Sequence, residues 1–566
     1  MLLKFLKIKE AIIITGVIFL FPAFAFGQVI SGTVMSGEGE TLVGATVLVK
    51  GTAIGTITNS DGSYSLDTEG QGDILVASYI GYISQEIAIN NQTVINFTLE
   101  LDIKSLDEII VVGYGTQRKS DVTGAVGSVS KDRIENAAVS DIAQMIQGSV
   151  PGLTVMTTEA GADPEGQSGI MLIRGRNSIS ASSDPLLVLD GILYNGSISD
   201  ISPEDVASIE VLKDASSVAI YGSRGSNGVI LITTKKGKEG KAQVKYDGFF
   251  SVQNVVNFPH IMDGKEYLNY KNNWSDFDDP DDALTALTNS ELEVYEDGSW
   301  KDWTWRELIT QQGQSNRHNL SISGGTKDFK YNVTTSYLGT KGIVINDEYK
   351  RITNRVNLDA NLTRWLSMTS STMLTWKDRS GVGPRFTDVF NKSPLMRPFN
   401  PDGSVNIQPD ADNEKRINPI ENQLYDDKDV GYNLSSILSF EATIMEGLSY
   451  RINGNIQYGR SEHDEYQGQN TAVGKSINGW GSLDNSESYS YAIENILNYK
   501  RDIGEHHLFF TALYSFEELT SRRKIQEGEN FPNDLLSYWG MPSAGLITNT
   551  YSNYQTALIS HMIRIN

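Results

Sequence analysis

Asp107-Glu108-Ile109-Ile110-Val111-Val112-Gly113-Tyr114-Gly115 separates a short N-terminal module from the longer remainder of the chain. Two carboxylates lead into four β-branched residues and glycines close the run, so the stretch favours an extended strand that stops there. Two readings fit it. It is either the last buried strand of the preceding domain or a strand that adds itself to another protein's sheet edge, with backbone groups supplying the affinity. The sequence on either side has to decide between them.

At 566 residues the chain exceeds what one core organises, so several domains are expected. Its 47 basic and 70 acidic residues leave a net charge of -23, a field that argues against a nucleic-acid partner. There is no cysteine, hence no disulfide, thiolate metal site, cysteine nucleophile or N-terminal lipid anchor. No histidine stands four residues from another, so no histidine-rich metal centre and no cofactor are expected. His506 and His507 are neighbours on a strand-like run and point to opposite faces.

Lys4, Lys7 and Lys9 precede an apolar run from Ala11 to Phe21, and Ala25 and Gly27 suit a signal peptidase cutting before Gln28. The run is shorter than the roughly 20 residues of a spanning helix, so residues 1–27 read as a secretory signal. No later stretch is long and apolar, so any membrane residence must use strands.

Residues 28–101 alternate short β-type runs with turn residues, as a small β-sandwich does. Gly44 to Val49, Ile74 to Ser78, Ile87 to Ile89 and Val94 to Leu99 read as strands, and Asn59-Ser60-Asp61-Gly62 as a hairpin turn. Asp61 is turn chemistry, since its neighbours lack the ligand spacing of a calcium loop. Gly44 to Thr52, Asn59 to Tyr64 and Ser78 to Tyr82 together resemble the carboxypeptidase-regulatory-like domain, which is non-catalytic in its relatives. No His-Glu motif of a zinc peptidase accompanies it.

After a linker at 102–117, residues 118–237 mix helix and strand. Asp141 to Gly148 has apolar residues at helical spacing, and Ile170 to Gly175, Pro185 to Gly191, Val206 to Leu212 and Gly228 to Thr234 are strand-like. Tyr221-Gly222-Ser223-Arg224-Gly225-Ser226-Asn227-Gly228 lacks the Gly-Lys-Ser/Thr ending of a phosphate loop and reads as a tight turn packed on its own domain. Asp190, Glu210, Lys213, Asp214 and Arg224 are expected to hold the domain's geometry by ion pairs and hydrogen bonds, without acid or base roles.

Gln147 to Val155, Ile173-Arg174-Gly175, Val188 to Gly191, Ile209 to Ala215 and Asn227 to Lys235, taken with the 107–115 stretch, closely resemble the plug of SusC/RagA-type TonB-dependent transporters of the Gram-negative outer membrane. The resemblance implies a TonB box on Asp107, Glu108, Ile109, Ile110, Val111 and Val112. It also implies plug motifs on Arg174, Gly175, Asp190, Gly191, Lys213, Asp214, Tyr221, Gly222, Arg224, Asn227 and Gly228. Ile109 and Ile110 stand where valine is common and Leu189 where isoleucine is, changes that keep the apolar character. The implied partners are TonB with its inner-membrane energising complex, a SusD-like lipoprotein lid, outer-membrane lipid and an oligosaccharide or peptide substrate. The implied N-terminal domain is periplasmic, and no enzymatic step is implied.

Residues 238–566 can be tested apart from the resemblance, because a transmembrane barrel needs alternating segments of about ten residues joined by turns at one end and longer loops at the other. Val244, Tyr246, Phe250 and Val252 share a face, as do Phe329, Tyr331, Val333 and Tyr337. So do Val356, Leu358, Ala360 and Leu362; Leu434, Leu438, Phe440 and Ile444; Tyr450, Ile452, Ile456 and Tyr458; and Leu508, Phe510, Ala512, Tyr514 and Phe516. Connections near 324–328, 363–365, 445–447 and 501–505 are short; those near 254–316, 379–430, 461–487 and 521–553 are long. Trp365, Trp376, Tyr458 and Tyr499 fall where membrane girdles or core packing would use aromatics, and the acidic run from Asp276 to Asp282 reads as a solvated loop surface.

The expected fold is therefore mainly β: a sandwich, an α+β plug, and the first part of an antiparallel transmembrane β-barrel. About ten strands are legible against 22 in large plugged transporters, so the barrel is expected to be incomplete, in a fragment or a truncated gene product. A secreted structural or adhesive β-protein is the alternative, yet it would need neither the plug motifs nor the two-beat connection lengths.

Overall fold

A computed structural model describes residues 29–565 except 38, 53, 69–72, 80–81, 91, 101–108, 113–114, 119–125, 137–138, 157–169, 181, 215–217, 275–283, 285–286, 411–416 and 505. The expected leader, Asp107, Glu108 and the acidic run at 276–282 lie outside the described residues. The chain divides into two compact units, one reaching to Ile110 and rejoined by 117–121, the other made of 111–116 and everything from Val122 onward.

The first unit holds β1 (Val29–Ser36), β2 (Thr46–Val49), β3 (Gly55–Ile57), β4 (Ser63–Asp67), β5 (Ile74–Ser78), β6 (Gln85–Ala88) and β7 (Phe97–Leu99). They form two sheets, ordered β4-β1-β7 and β3-β2-β5-β6. Alternation supplies the core: Ile30, Val34, Val47, Val49, Leu75, Ala77, Phe97 and Leu99 are buried together. The 59–62 turn exists, with Gly62 at φ +75°, but it does not close the expected hairpin, because β3 and β4 belong to different sheets. Buried Thr58 explains the divergence. Its hydroxyl accepts from Ala45 N–H (2.9 Å) and donates to the Leu42 carbonyl (2.6 Å), fixing the chain as it leaves one sheet for the other.

Ile109–Val112 is a strand (β8), and it pairs with Gly115–Arg118 (β9) as a two-stranded sheet outside both sandwich sheets. It is therefore not the last strand of the preceding domain's sheets.

In the second unit, β10 (Val126–Ser128), β13 (Leu186–Leu189), β14 (Ile192–Leu193), β15 (Val206–Leu212) and β16 (Val229–Thr234) form a sheet ordered β10-β15-β16-β13-β14. Strands β11 (Leu153–Val155) and β12 (Met171–Ile173) pair beside it. The Asp141 carboxylate caps helix Ile142–Ile146 by accepting from Ala143 N–H. Ile142, Ile146, Ile209, Val211, Ile230 and Ile232 make one apolar core between helix and sheet.

Ten antiparallel strands come next in chain order: β17 (Gly240–Gln253), β18 (Gly313–Gly325), β19 (Phe329–Lys341), β20 (Glu348–Asn361), β21 (Leu366–Asp378), β22 (Asp426–Met445), β23 (Leu448–Gln467), β24 (Trp480–Ile503), β25 (His506–Glu529) and β26 (Leu546–Ile565). Their faces are inverted relative to a soluble protein. Val244, Phe250 and Ile456 are 68%, 64% and 59% exposed, while Asn319, Asn357, Thr375, Asn453 and Ser490 on the opposite face are buried. Apolar outside and polar inside is what a lipid-facing wall around a polar lumen requires. No helix among the described residues is long and apolar enough to cross a membrane.

Two connection expectations need correction. Much of 461–487 and 521–553 is strand, since β22 to β25 run for 20 to 24 residues and leave only 468–479 and 530–545 as loops. Past Tyr458 the outward positions turn polar, but pairing continues, reinforced by cross-strand ion pairs such as Lys428–Glu462 at 2.9 Å. A solvated ladder needs no apolar face, so apolar alternation fades before the strand ends. Described residues of the loops 254–312 and 379–425 also pack together, burying Trp305, Ile309, Val389, Met396 and Ile420 in one cluster, with Trp305 Nε1 donating to the Ser393 carbonyl at 2.9 Å.

Candidate functional site

The plug motifs converge on turns. Asp190 and Gly191 link β13 to β14 with φ of +51° and +87°, the left-handed pair that a two-residue hairpin turn needs and that Asp-Gly supplies at low cost. The turn also positions a carboxylate. Asp190 accepts from Thr234 N–H (2.8 Å) and Thr234 Oγ1 (2.9 Å) inside the plug, and from Ser371 Oγ (3.2 Å) on the barrel wall, with the Arg355 guanidinium at 3.6 Å.

Other motif residues tie the plug to itself. Arg174 pairs with Asp214, and Lys213 Nζ donates to the Pro151 carbonyl (2.9 Å), which joins the β11–β12 pair to the main sheet. Arg174 and Gly175 both have positive φ, +61° and +95°. Asn227 Nδ2 donates to the Ser182 carbonyl at 3.0 Å, Tyr221 is buried, and a Cβ on Gly228 would meet Ile173 Cδ1 at 2.6 Å.

The glycine-rich stretch departs from expectation twice. It is a 3₁₀ run, Ala219–Asn227, broken at Gly222 (φ +61°), and its Arg224 pairs with Glu517 of β25 instead of packing only on its own domain. Asp190 and Arg224 thus find charged partners in the barrel.

The seam between plug and barrel is built mainly from 190–205, which sequence reading covered only at Asp190 and Gly191. Lys377 Nζ meets Asp200 at 2.8 Å, Arg317 meets Glu204, and Arg355 Nε meets Asp205 at 3.3 Å. These cations stand on β21, β18 and β20. Arg351 donates to the Ser199 carbonyl and Arg317 to the Val139 carbonyl (2.6 Å). On the other flank Gln457 Nε2 donates to the Leu193 carbonyl (2.8 Å), and its Oε1 accepts from Asn195 N–H (2.9 Å). Asn357 Nδ2 reaches Thr234 Oγ1 (3.1 Å) and the Lys235 carbonyl (2.8 Å).

Burial shapes the electrostatics of this seam. It pushes the Asp205 carboxyl up from its ordinary value, against the pull of the Arg355 charge. It pushes the Tyr194 phenol well up, helped by neighbouring Asp200, so the hydroxyl keeps its proton and donates to Asp200 Oδ2 at 3.0 Å. Arg351 and Arg355 are buried, and ions so placed are tolerable only when paired. One signal for them was present: Arg351, Thr353, Arg355 and Asn357 occupy every second position, opposite the apolar outward face of β20.

Nearer the long loops, Asp427, His463 and Glu465 on β22 and β23 bring ligand-type atoms within 4.8 Å of one another, with His463 Nε2 and Asp427 Oδ1 hydrogen-bonded at 2.8 Å. A test for histidines four residues apart does not see a cross-strand set. An ion pair accounts for its geometry.

Residues 30–111 match the CarboxypepD_reg-like domain and 118–229 the TonB-dependent Receptor Plug Domain. TonB-dependent receptor P3 of Formosa agariphila is 30% identical over 95% of this chain and 52% of its own length. TonB-dependent receptor SusC of Bacteroides thetaiotaomicron is 38% identical over 61% of this chain and 33% of its own. The RagAB peptide importer in its open-open state shares the fold, with a TM-score of 0.66 at 22% identity, covering 81% of this chain and 54% of that one. The chain spans about half the length of the curated relatives it matches. These relatives are named receptors and importers, none an enzyme. With its regulatory-like sandwich, plug and inverted strand wall, the chain carries the domains of a TonB-dependent receptor and is similar to SusC in sequence and to the RagAB importer in fold.

Proposed function

We propose that this chain serves the TonB-dependent import of a nutrient, an oligosaccharide or a peptide, across the outer membrane of a Gram-negative bacterium, its N-terminal unit lying in the periplasm. The observation that carries the reading is the lumen itself. A polar-lined wall is occupied by a folded plug that is fastened by ion pairs and hydrogen bonds, with Met373 of β21 joining the plug's apolar core. In a closed barrel a plug so placed bars passive flow, so passage needs work on the plug. In the proposed cycle, substrate captured beneath a SusD-like lipoprotein lid makes residues 107–112 available. They pair as a strand with TonB, driven by its inner-membrane complex, and the pull breaks seam contacts one by one. Asp190, Asp200, Glu204, Asp205 and Arg224 hold plug to wall until then, and none performs covalent chemistry.

Uptake of a labelled oligosaccharide or peptide by cells expressing the native gene tests the reading, with and without residues 107–112. Loss of energised uptake on deletion, with surface binding retained, is the expected result. Uptake indifferent to the deletion, or no uptake at all by the intact protein, would sink it and favour a structural or adhesive role.

A further inference from the structure

The outward positions of β23 and β24 carry an apolar band that ends at Tyr458 and Tyr489, which stand opposite each other. Beyond that pair the same face turns charged, with Arg460, Arg522 and Lys524 beside Glu462 and Glu487. Arg460 is opposite Glu487, Glu487 is opposite Arg522, and Lys524 lies between Asn485 and Tyr551. Two residues along a strand cover about 7 Å, so this row stands just beyond the aromatic edge of the band, where lipid headgroups begin.

A cleft of about 600 Å³ opens there, and Arg460, Asn485, Arg522, Lys524, Asn549 and Tyr551 are among its lining residues. Its charges are unequally matched. Arg460 pairs with Glu462, and Glu487 accepts from the Tyr458 hydroxyl at 2.9 Å. The Arg522 guanidinium lies over the Tyr489 ring, 6.0 Å from its centroid. Among the described residues, neither Arg522 nor Lys524 has a carboxylate within ion-pair reach. A merely solvated wall would scatter such cations over a convex surface; here they converge on a concavity with amide and hydroxyl donors around them.

We propose that this cleft holds the phosphate of a phosphorylated glycolipid in the outer leaflet, fixing that lipid against the barrel wall. Arg522 presents a planar fork that matches phosphate oxygens, and Lys524 supplies a point charge beside it. The sugar of the headgroup meets Asn485, Asn549 and Tyr551, while the acyl chains run along the band below Tyr489. The proposal rests on the outer-membrane reading of the chain.

The test uses protein expressed from its native gene, purified from outer membranes and reconstituted in phosphatidylcholine nanodiscs containing diphosphoryl lipid A, dephosphorylated lipid A or neither. Retained lipid is measured by native mass spectrometry after delipidation. Each near-surface cation contributes about fivefold to anionic-lipid association, so R522Q/K524Q should retain diphosphoryl lipid A some twenty- to thirtyfold less strongly, while K350Q retains it as the wild type does. Inorganic phosphate should fail to displace the lipid. Equal retention by R522Q/K524Q, equal retention of the dephosphorylated lipid, or displacement by free phosphate would overturn the headgroup site and leave the membrane reading intact. If the wild-type protein does not fractionate with outer membranes, both readings fall together.

Discussion

The interior of the plug and its seam with the barrel are held by opposite means. Inside, Ile142, Ile146, Ile209, Ile230 and Ile232 pack together away from water. At the seam, Arg317, Arg355 and Lys377 reach Glu204, Asp205 and Asp200, Arg224 reaches Glu517, and hydroxyl, amide and guanidinium groups add hydrogen bonds. Apolar burial is non-directional and survives small shifts, whereas a buried ion pair is strong at one geometry and costly once a partner leaves. The difference teaches that the plug is built to stay folded while its attachment is built from discrete contacts that can be exchanged for water.

Three substitutions would break or sharpen that contrast. The largest effect is expected at Arg355, which faces both Asp190 and Asp205. Arg355→Met strands two carboxylates at the seam and should cost roughly 3–5 kcal/mol, seen as a lower urea midpoint and faster proteolysis of the plug in detergent-solubilised protein. A change under about 1 kcal/mol, the scale of an exposed pair, would show that the seam is not held by charge.

Ile230→Ala comes next. It removes a fully buried side chain from the plug core and should cost about 2–5 kcal/mol as lost burial plus cavity. Its loss should be insensitive to pH, and a pH-dependent loss would mean that the core and the seam are not separable.

Asp205→Asn should be the mildest, near 1 kcal/mol, because burial already disfavours the charge at this position. Its pH dependence is the sharper readout. The folded-state pKa of Asp205 is raised above 3.8, so the native plug binds more protons than the unfolded chain. Stability from this group is full below pH 3.8 and declines as pH rises through the raised value. The Asn variant should flatten that decline in urea titrations taken across the acid range. An unchanged profile would assign the titration elsewhere.

The legible parts of this chain were those with short-range physics. Strand β15 was read at its full extent, Val206–Leu212, and the capped helix after Asp141 was legible because cap and spacing lie within a few residues. The ten barrel strands showed through wherever one face met lipid. Legibility failed where a strand left the lipid band, as in β24 and β25, because a solvated ladder carries no apolar period. It failed again at Asn59–Gly62, where a good turn signal could not say which sheet each flanking strand would join.

By itself the sequence determined the apolar outward faces, the glycines that end the strand-like runs at Gly175 and Gly191, and the lack of thiol chemistry, because each depends on residue type at fixed short spacing. Only the tertiary structure decided that Asp190 and Arg224 face the barrel, that Arg355 answers Asp205 across 150 residues, and that Arg460, Arg522 and Lys524 share one cleft. Partners that meet across strands are chosen by register and closure, and no local pattern encodes which distant charge will arrive opposite.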